Sequence, residues 1–544
     1  MITIYSAGKI LTMNPARPEV THVAVRDGLI VGAGDPAELE GFGEYKLDNR
    51  FSDKVLMPGL VEGHSHAVEG KWWRYVYCGY FDRMDPHGKV WQGLGSIDAV
   101  VERLKEQDAA IPDAKTPMAG WSIDPIYYPE KRITREDLDR VSSTRPIGIM
   151  HASGHIMNVN SAALELAGFL RTGIENDGLP LGDDGIPTGE LRGPDVYMSI
   201  GPHAGFDANM LDFDEPGLTD FGKLCIRKGV TTSTDLAASL SDEVVKIGLD
   251  ITARDDFPLR LMAFRFHHGL TPAELLQQVL ELAEKSTDRF RLGRIKIVAD
   301  GSIQGFTARL NPPGYYNGAP NGLWYIAPAQ MLEIYELALQ HNIQVHTHTN
   351  GDEATDLALD TLEKALQKCP REDHRFTVQH GQLVNAAQFK RMAKLGFCVN
   401  HFANHHFYWG DEHYRLTVGP ERAERMNPCR TALDHHIPLA IHSDAPITPI
   451  GPLFTAWCAV NRLTYSGRVQ GEHERISVDE ALYAITMGAY TLQMDNEIGS
   501  IEAGKRADFA VLEDDPTTID PLMLKDVKIW GTVQDGRVFD ASEG

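Results

Sequence analysis

Cysteine is scarce: the chain has six in 544 residues (Cys78, Cys225, Cys369, Cys398, Cys429 and Cys458), and no two stand in a CxxC spacing. That scatter excludes a thiolate zinc site and a disulfide framework, and it fits reduced thiols in a cytoplasm. Basic residues are outnumbered, 52 Lys and Arg against 76 Asp and Glu, for a net charge of −24. Nucleic acid and anionic membranes are thereby excluded as partners attracted by bulk charge. Long apolar runs are missing as well, and none approaches the roughly 18 residues that a membrane helix needs. The opening MITIYSAGKILTMNP has no basic segment followed by a long apolar stretch, so no secretory leader is expected. Heptads, internal repeats and low-complexity tracts are absent. What is present is an ordinary globular composition, 42% hydrophobic and 24% charged, with one anomaly of 22 histidines.

The two ends read alike. ITIYSAGKILTMN, HVAVRDGLIVGAG and the run to KVLMPG alternate apolar and polar residues around turns at RDG and GAGDP. RADFAVLEDDP and VKIWGTVQDGRVF repeat that style near the other end. Together they predict one small β-sandwich domain built from residues 1–55 and 495–544. The middle alternates helical periods with short apolar strands: MLEIYELALQHN then IQVHTHT, EATDLALDTLEKALQKC then HRFTVQHGQ, NAAQFKRMAKLG then FCVNHF. Eight candidate strands fall at 56–63, 229–235, 259–266, 293–299, 342–348, 374–380, 396–401 and 438–444. They predict an α/β fold, a (β/α)8 TIM barrel over residues 56–494. About 165 residues separate the first strand from the second, too many for one crossover. The excess predicts an inserted subdomain over about 70–220, rich in aromatics such as Trp72, Trp73, Tyr77 and Trp91.

Histidines and acids recur where the apolar runs end. His64 and His66 stand two apart in VEGHSHA, so period-two geometry sends both to one face. Lys296 lies inside the apolar strand RIKIVADGS, His346 and His348 lie in IQVHTHT, His380 ends FTVQH, and His442 and Asp444 end PLAIHSD. In a barrel the carboxyl ends of the strands converge on one mouth. Each residue alone has a plain structural reading: Lys296 as a snorkelling lysine, His380 as a hydrogen-bonded core imidazole, Asp444 as a helix cap. Jointly, imidazoles and a carboxylate at successive strand ends point to a divalent metal, with zinc the expected ion. Spacing leaves the choice between His346 and His348 open.

The strings PGLVEGHSH, KIVADGS, HTNGDEA, VQHGQ and HSDAP, in this order, resemble the amidohydrolase superfamily, and within it the amidohydrolase-3 branch that includes N-substituted formamide deformylases. The stretch from GWSIDPIYY to HIMNVNSAAL is similar to that branch's inserted region, and VDEALYAITMGAYTLQMDNEIGSIEAGKRADFAVLEDDP to its tail. The resemblance implies a binuclear centre, with one or two ions per chain. It places His64, His66, Lys296, His348, His380 and Asp444 as metal ligands, Lys296 as a carboxylated bridge and Asp444 as the catalytic acid–base group. His346 then becomes a supporting residue. Two divalent ions, a carbamate, Asp444 and a hydroxide leave a net charge of about +1, whereas an unmodified ammonium would raise it to about +3.

The resulting expectation is a metal-dependent hydrolase that cleaves the C–N bond of a small amide, with metal-activated water as nucleophile. Candidate substrate contacts are His155 in HASGHIM, Asp300 and Arg309 in the loop after the lysine strand, His405, His406 and Trp409 after strand seven, and His442. His401, Tyr408 and the pair His267/His268 are further candidates near the mouth, while His435/His436 read as structural. The partner is a small molecule, and a homo-oligomer is compatible with such a barrel. Hydrolytic deamination and lactone hydrolysis are the rival reactions. Deaminases of this superfamily use a glutamate near strand five, but Glu353 lies five residues past His348 with no HxxE. A metal-free scaffold is the non-enzyme alternative, and such relatives lose ligands that are all present here.

Overall fold

Eight short apolar runs pair in parallel in the computed structural model, which describes residues 1–128, 131–207 and 209–542. They are Leu60–Glu62, Val230–Ala238, Arg260–Phe266, Ile295–Val298, Val345–Thr349, Thr377–His380, Cys398–His401 and Leu439–Ile441, neighbours in chain order. Each overlaps one of the expected windows. The chain is an α/β protein with a nearly closed parallel barrel. Register sets Lys296 beside His346, Val298 beside His348, Thr349 beside His380, and His380 beside His401. The first and last strands do not form a ladder. Their ends meet through Asp444 N–H on the His64 carbonyl (3.1 Å) and His66 N–H on the Ala445 carbonyl (2.7 Å).

The outer helices form because their sequences bury one stripe. Asp352–Lys368 turns Ala354, Ala358, Leu359, Leu362 and Ala365 inward. Ala386–Leu395 starts on an Asn385/Gln388 capping box and stops at Gly396, whose φ of 74° is the left-handed value that ends helices.

Both termini supply one seven-stranded sheet. In spatial order it runs Arg537–Asp540, Ile529–Gln534, Phe509–Leu512, Tyr45–Pro58, Ile2–Leu11, Glu19–Arg26, Leu29–Gly34. Tyr5, Ile10, Phe51, Phe509 and Val533 are among its core residues. Tyr45–Pro58 leads through Gly59 directly into the first barrel strand, so the sheet domain anchors the strand that carries His64 and His66. Gly59 is required there: a Cβ would lie 1.9 Å from Thr231 Oγ1.

The long segment after strand one carries its own five-stranded sheet, with Val76–Tyr77, Met118–Ile123, Ile147–His151, Ile156–Val159 and Glu190–Arg192 as strands. Part of its aromatic content is core. Trp121 packs on Trp72, Trp73 and Tyr77 at ring separations of 5.9, 5.1 and 5.4 Å. All six cysteines are unpaired. No helix among the described residues is long and apolar enough to cross a membrane.

Candidate metal centre

The strand ends bring His64, His66, Lys296, His380 and Asp444 to one mouth. Asp444 Oδ1 lies 3.3 Å from Nε2 of both His64 and His66, and its Oδ2 lies 3.8 Å from His380 Nδ1. Lys296 Nζ is 3.4 Å from His64 Nε2. Two sets of donor atoms lie within 4.8 Å of one another, His64–His66–Asp444 and His64–His380–His442.

The backbone is bent to make this arrangement. His380 and Asp444 have φ of 68° and 56°, the left-handed region that non-glycine residues rarely occupy. Such strain costs on the order of 1–3 kcal/mol per residue and concentrates at functional sites.

The partners of His64 select its tautomer. Gln379 Oε1 receives the His64 Nδ1–H at 2.7 Å and an N–H from Asn400 at 3.1 Å, which leaves the His64 Nε2 lone pair facing Asp444 and Lys296. Gln379 Nε2 donates in turn to His346 Nδ1 (2.8 Å), and His346 Nε2 donates to the Thr491 carbonyl (2.9 Å). His346 thus lies below the mouth, linked to His64 through Gln379. Nothing in the sequence singled out Gln379.

Burial holds the imidazoles of His64, His348 and His380 well below their ordinary range, so they are neutral, the form that binds metals. Both ring nitrogens of His380 and Oδ1 of Asp444 are buried with no hydrogen-bond partner. Orphaned lone pairs on neutral imidazoles beside a carboxylate fit a divalent cation. Burial also pulls the Lys296 amine down to about 7, against an opposing pull from Asp444.

His348 stands at the rim of this group, its ring 4.4 Å from that of His380. Its Nε2 lies 3.2 Å from the Gly301 carbonyl and 3.6 Å from Asp300 Oδ1. Asp300 accepts N–H groups of Arg309, Asn350 and Gly351, each at 2.9 Å, and ties the loops around His348 together. Arg309 makes two 3.0 Å bonds to Glu353. Neither Asp300 nor Arg309 is among the residues that line the adjoining cavity; their polar groups are spent on loop contacts.

That cavity, open to solvent, is lined by His64, His66, Lys296, His348, His380 and Asp444 on its metal-centre side. His155 reaches it from the inserted segment and packs near His348, with rings 5.4 Å apart. His267 and His268 also line it. His405, His406 and Trp409 do not, which corrects the expectation for the segment after strand seven. They sit in the helix His405–Glu412, where Trp409 Nε1 donates to Asp124 Oδ2 (2.8 Å) and His405 stacks on His413 at 5.2 Å. His442 lies behind His64, rings stacked at 4.6 Å, fully buried and outside the cavity wall.

Comparison with known proteins shows what the chain resembles. Residues 52–540 match the amidohydrolase family. The YtcJ protein of Bacillus subtilis (strain 168) is 28% identical over 99% of both chains. The N-substituted formamide deformylase of Arthrobacter pascens is 26% identical over 94% of both chains. The structure of an uncharacterized metal-dependent hydrolase from Pyrococcus horikoshii OT3 superposes with a TM-score of 0.71 and 20% identity, covering 96% of this chain and 99% of that one.

Proposed function

The chain belongs to the amidohydrolase family, and from that premise we propose that it hydrolyses the C–N bond of a small amide, of the N-substituted formamide or N-acyl amine type, at a divalent metal centre. The observation that carries this reading is the single mouth where His64, His66, His380 and Asp444 present unshared electron pairs beside Lys296. His64, His66, Lys296, His348, His380 and Asp444 would hold one or two ions, and the mixed imidazole–carboxylate set suits zinc. The bound metal supplies Lewis acidity and makes water a competent nucleophile near neutral pH. Lys296, with its amine near 7, has the neutral fraction that conversion to a bridging carbamate requires.

Asp444 is the acid–base group. One of its oxygens takes the proton of the attacking water and returns it to the leaving nitrogen, which departs as a neutral amine. His155 faces the same space as a neutral imidazole, its pKa lowered to about 4 by burial, and serves as a hydrogen-bond donor to the substrate carbonyl. Amide hydrolysis is favoured over deamination because Glu353, the nearest glutamate after His348, is bound to Arg309 and does not line the cavity.

The test is elemental analysis of protein purified without chelator, paired with a screen of formamides, N-acyl amines and cyclic imides. Bound zinc, manganese or iron together with amine release from a formamide or N-acyl amine is expected. Metal-free protein, or metal-loaded protein that acts only on cyclic amidines, would overturn the reading.

A further inference from the structure

The cavity wall is chemically one-sided. Apart from Lys296 and Asp444 of the metal centre, its lining among the described residues includes no Arg, Lys, Asp or Glu. Behind the wall, Asp300 lies 3.6 Å from His348 Nε2 with its oxygens held by three backbone N–H groups, and Asp195 pairs with His268 at 3.3 Å and is 87% exposed, turned to solvent. Arg265, on the strand of Phe266, is directed away to Gln278 at 2.9 Å.

Much of the rest of the wall is apolar and comes from two sources. The inserted segment supplies Trp72, Tyr197 and Leu211, and the barrel supplies Leu236, Phe266 and Val298. Spare polar capacity is neutral: His267 Nδ1 and the Tyr325 hydroxyl are buried without a hydrogen-bond partner, and both residues line the cavity. Such groups serve a carbonyl or an N–H. They cannot neutralise a carboxylate or an ammonium.

We propose that the substrate is an amide bearing an uncharged apolar group of aryl or branched-alkyl size, and that the cavity excludes substrates in which the group lying on this wall, away from the metal centre, carries a fixed charge. The physical basis is desolvation. A charged group placed on the wall away from the metal centre loses its hydration and meets no Arg, Lys, Asp or Glu there. An aryl group instead gains by leaving water. The inference rests on the amide-hydrolysis reading for its reaction, but the charge preference stands on the wall alone.

The experiment uses the full chain in its metal-loaded form with three matched formamides: a neutral N-(phenylalkyl)formamide, its ring carboxylate and its ring aminomethyl analogue. Hydrolysis is followed by amine release. The matching phenylalkyl methyl ketones, which have no bond to hydrolyse, are tested for binding by calorimetry. The neutral compound should exceed both charged analogues by at least about 100-fold in kcat/KM and in ketone affinity. Leu211→Arg, which places a cation in the wall, should improve the carboxylate relative to the neutral compound by at least about 10-fold. Charged analogues that bind and react within about 3-fold of the neutral one would overturn the proposal, as would no ketone binding at all. If the neutral ketone binds selectively but no amide is cleaved, the charge preference stands and the hydrolysis reading fails. If all three amides are cleaved alike, the reverse holds.

Discussion

The carboxyl group of Glu62 accepts two hydrogen bonds from Ser443, the backbone N–H at 3.0 Å and the hydroxyl at 2.7 Å. The contact joins the first and last barrel strands where no ladder does, two residues before His64 and one before Asp444. Truncation to Glu62→Ala leaves the Ser443 donors unpaired in a buried seam, a cost of about 1–3 kcal/mol, and loosens the position of Asp444. The expected result is a fall of about 10–100-fold in metal affinity, the range for lost ligand-supporting contacts, with kcat falling and KM little changed. Glu62→Gln, which keeps an acceptor and the volume, should recover most of it. Titration of apo protein with zinc, alongside steady-state kinetics, reads both effects.

Asp444→Asn removes the proton carrier while leaving the shape. Asn tolerates the left-handed backbone found at φ of 56°, so the loop should hold. The expected outcome is a fall in kcat of at least about 10²–10⁴-fold with metal content largely retained. Full activity in this variant would remove Asp444 from the acid–base role. Elemental analysis and amine-release kinetics on the same preparation separate the two functions.

The barrel was legible because its strands are short apolar runs broken by Gly, Pro and clustered polar residues. The mouth was legible because chemistry-bearing residues sit at strand ends. What escaped sequence reading follows from two physical causes. Period-two alternation predicts that Gln379 and His380 face opposite ways, yet both lie against His64: His380, the last residue of its strand, has a left-handed φ of 68° that breaks the alternation there. Alternation therefore gives no hint that Gln379 orients His64. The second cause is distance in sequence. His405, His406 and Trp409 follow a barrel strand and so read as mouth residues, but Asp124, from the inserted segment, holds the Trp409 indole, a contact across 285 positions that no local pattern encodes. The closing hydrogen bonds from Ser443 to Glu62 span 381 positions and are hidden for the same reason.

Lys296 tests whether two ions are held. Lys296→Met keeps the length and removes the amine. If a carbamate bridges two metals, content should fall to at most about one ion per chain, because a bridging anion is lost from between two cations. Wild-type protein loaded with metal in carbonate-free buffer should gain activity when bicarbonate is added, and the variant should not. Wild-type metal stoichiometry in Lys296→Met, with no bicarbonate effect on the wild type, would count against the bridge.

Asp124 sets a pH dependence of stability away from the metal centre. Burial lifts its carboxyl to about 6 from the ordinary 3.8, opposed by hydrogen bonds from Ile126 N–H at 3.1 Å and Trp409 Nε1–H at 2.8 Å. The folded state therefore holds a proton over the interval from about 4 to 6 that the unfolded chain has already lost. Stability from this group is fully present below 3.8 and is lost as pH rises through about 6, by about 3 kcal/mol in total. Asp124→Asn cannot ionise and loses nothing over that interval, although its amide leaves one of the two donors poorly paired at a cost of about 1 kcal/mol. The thermal midpoint of the variant should therefore start near or below that of the wild type at pH 4, then gain on it by on the order of a few degrees by pH 7. Calorimetric scans of both proteins across this range give the difference directly, and a difference that stays flat with pH would show that Asp124 is ionised throughout.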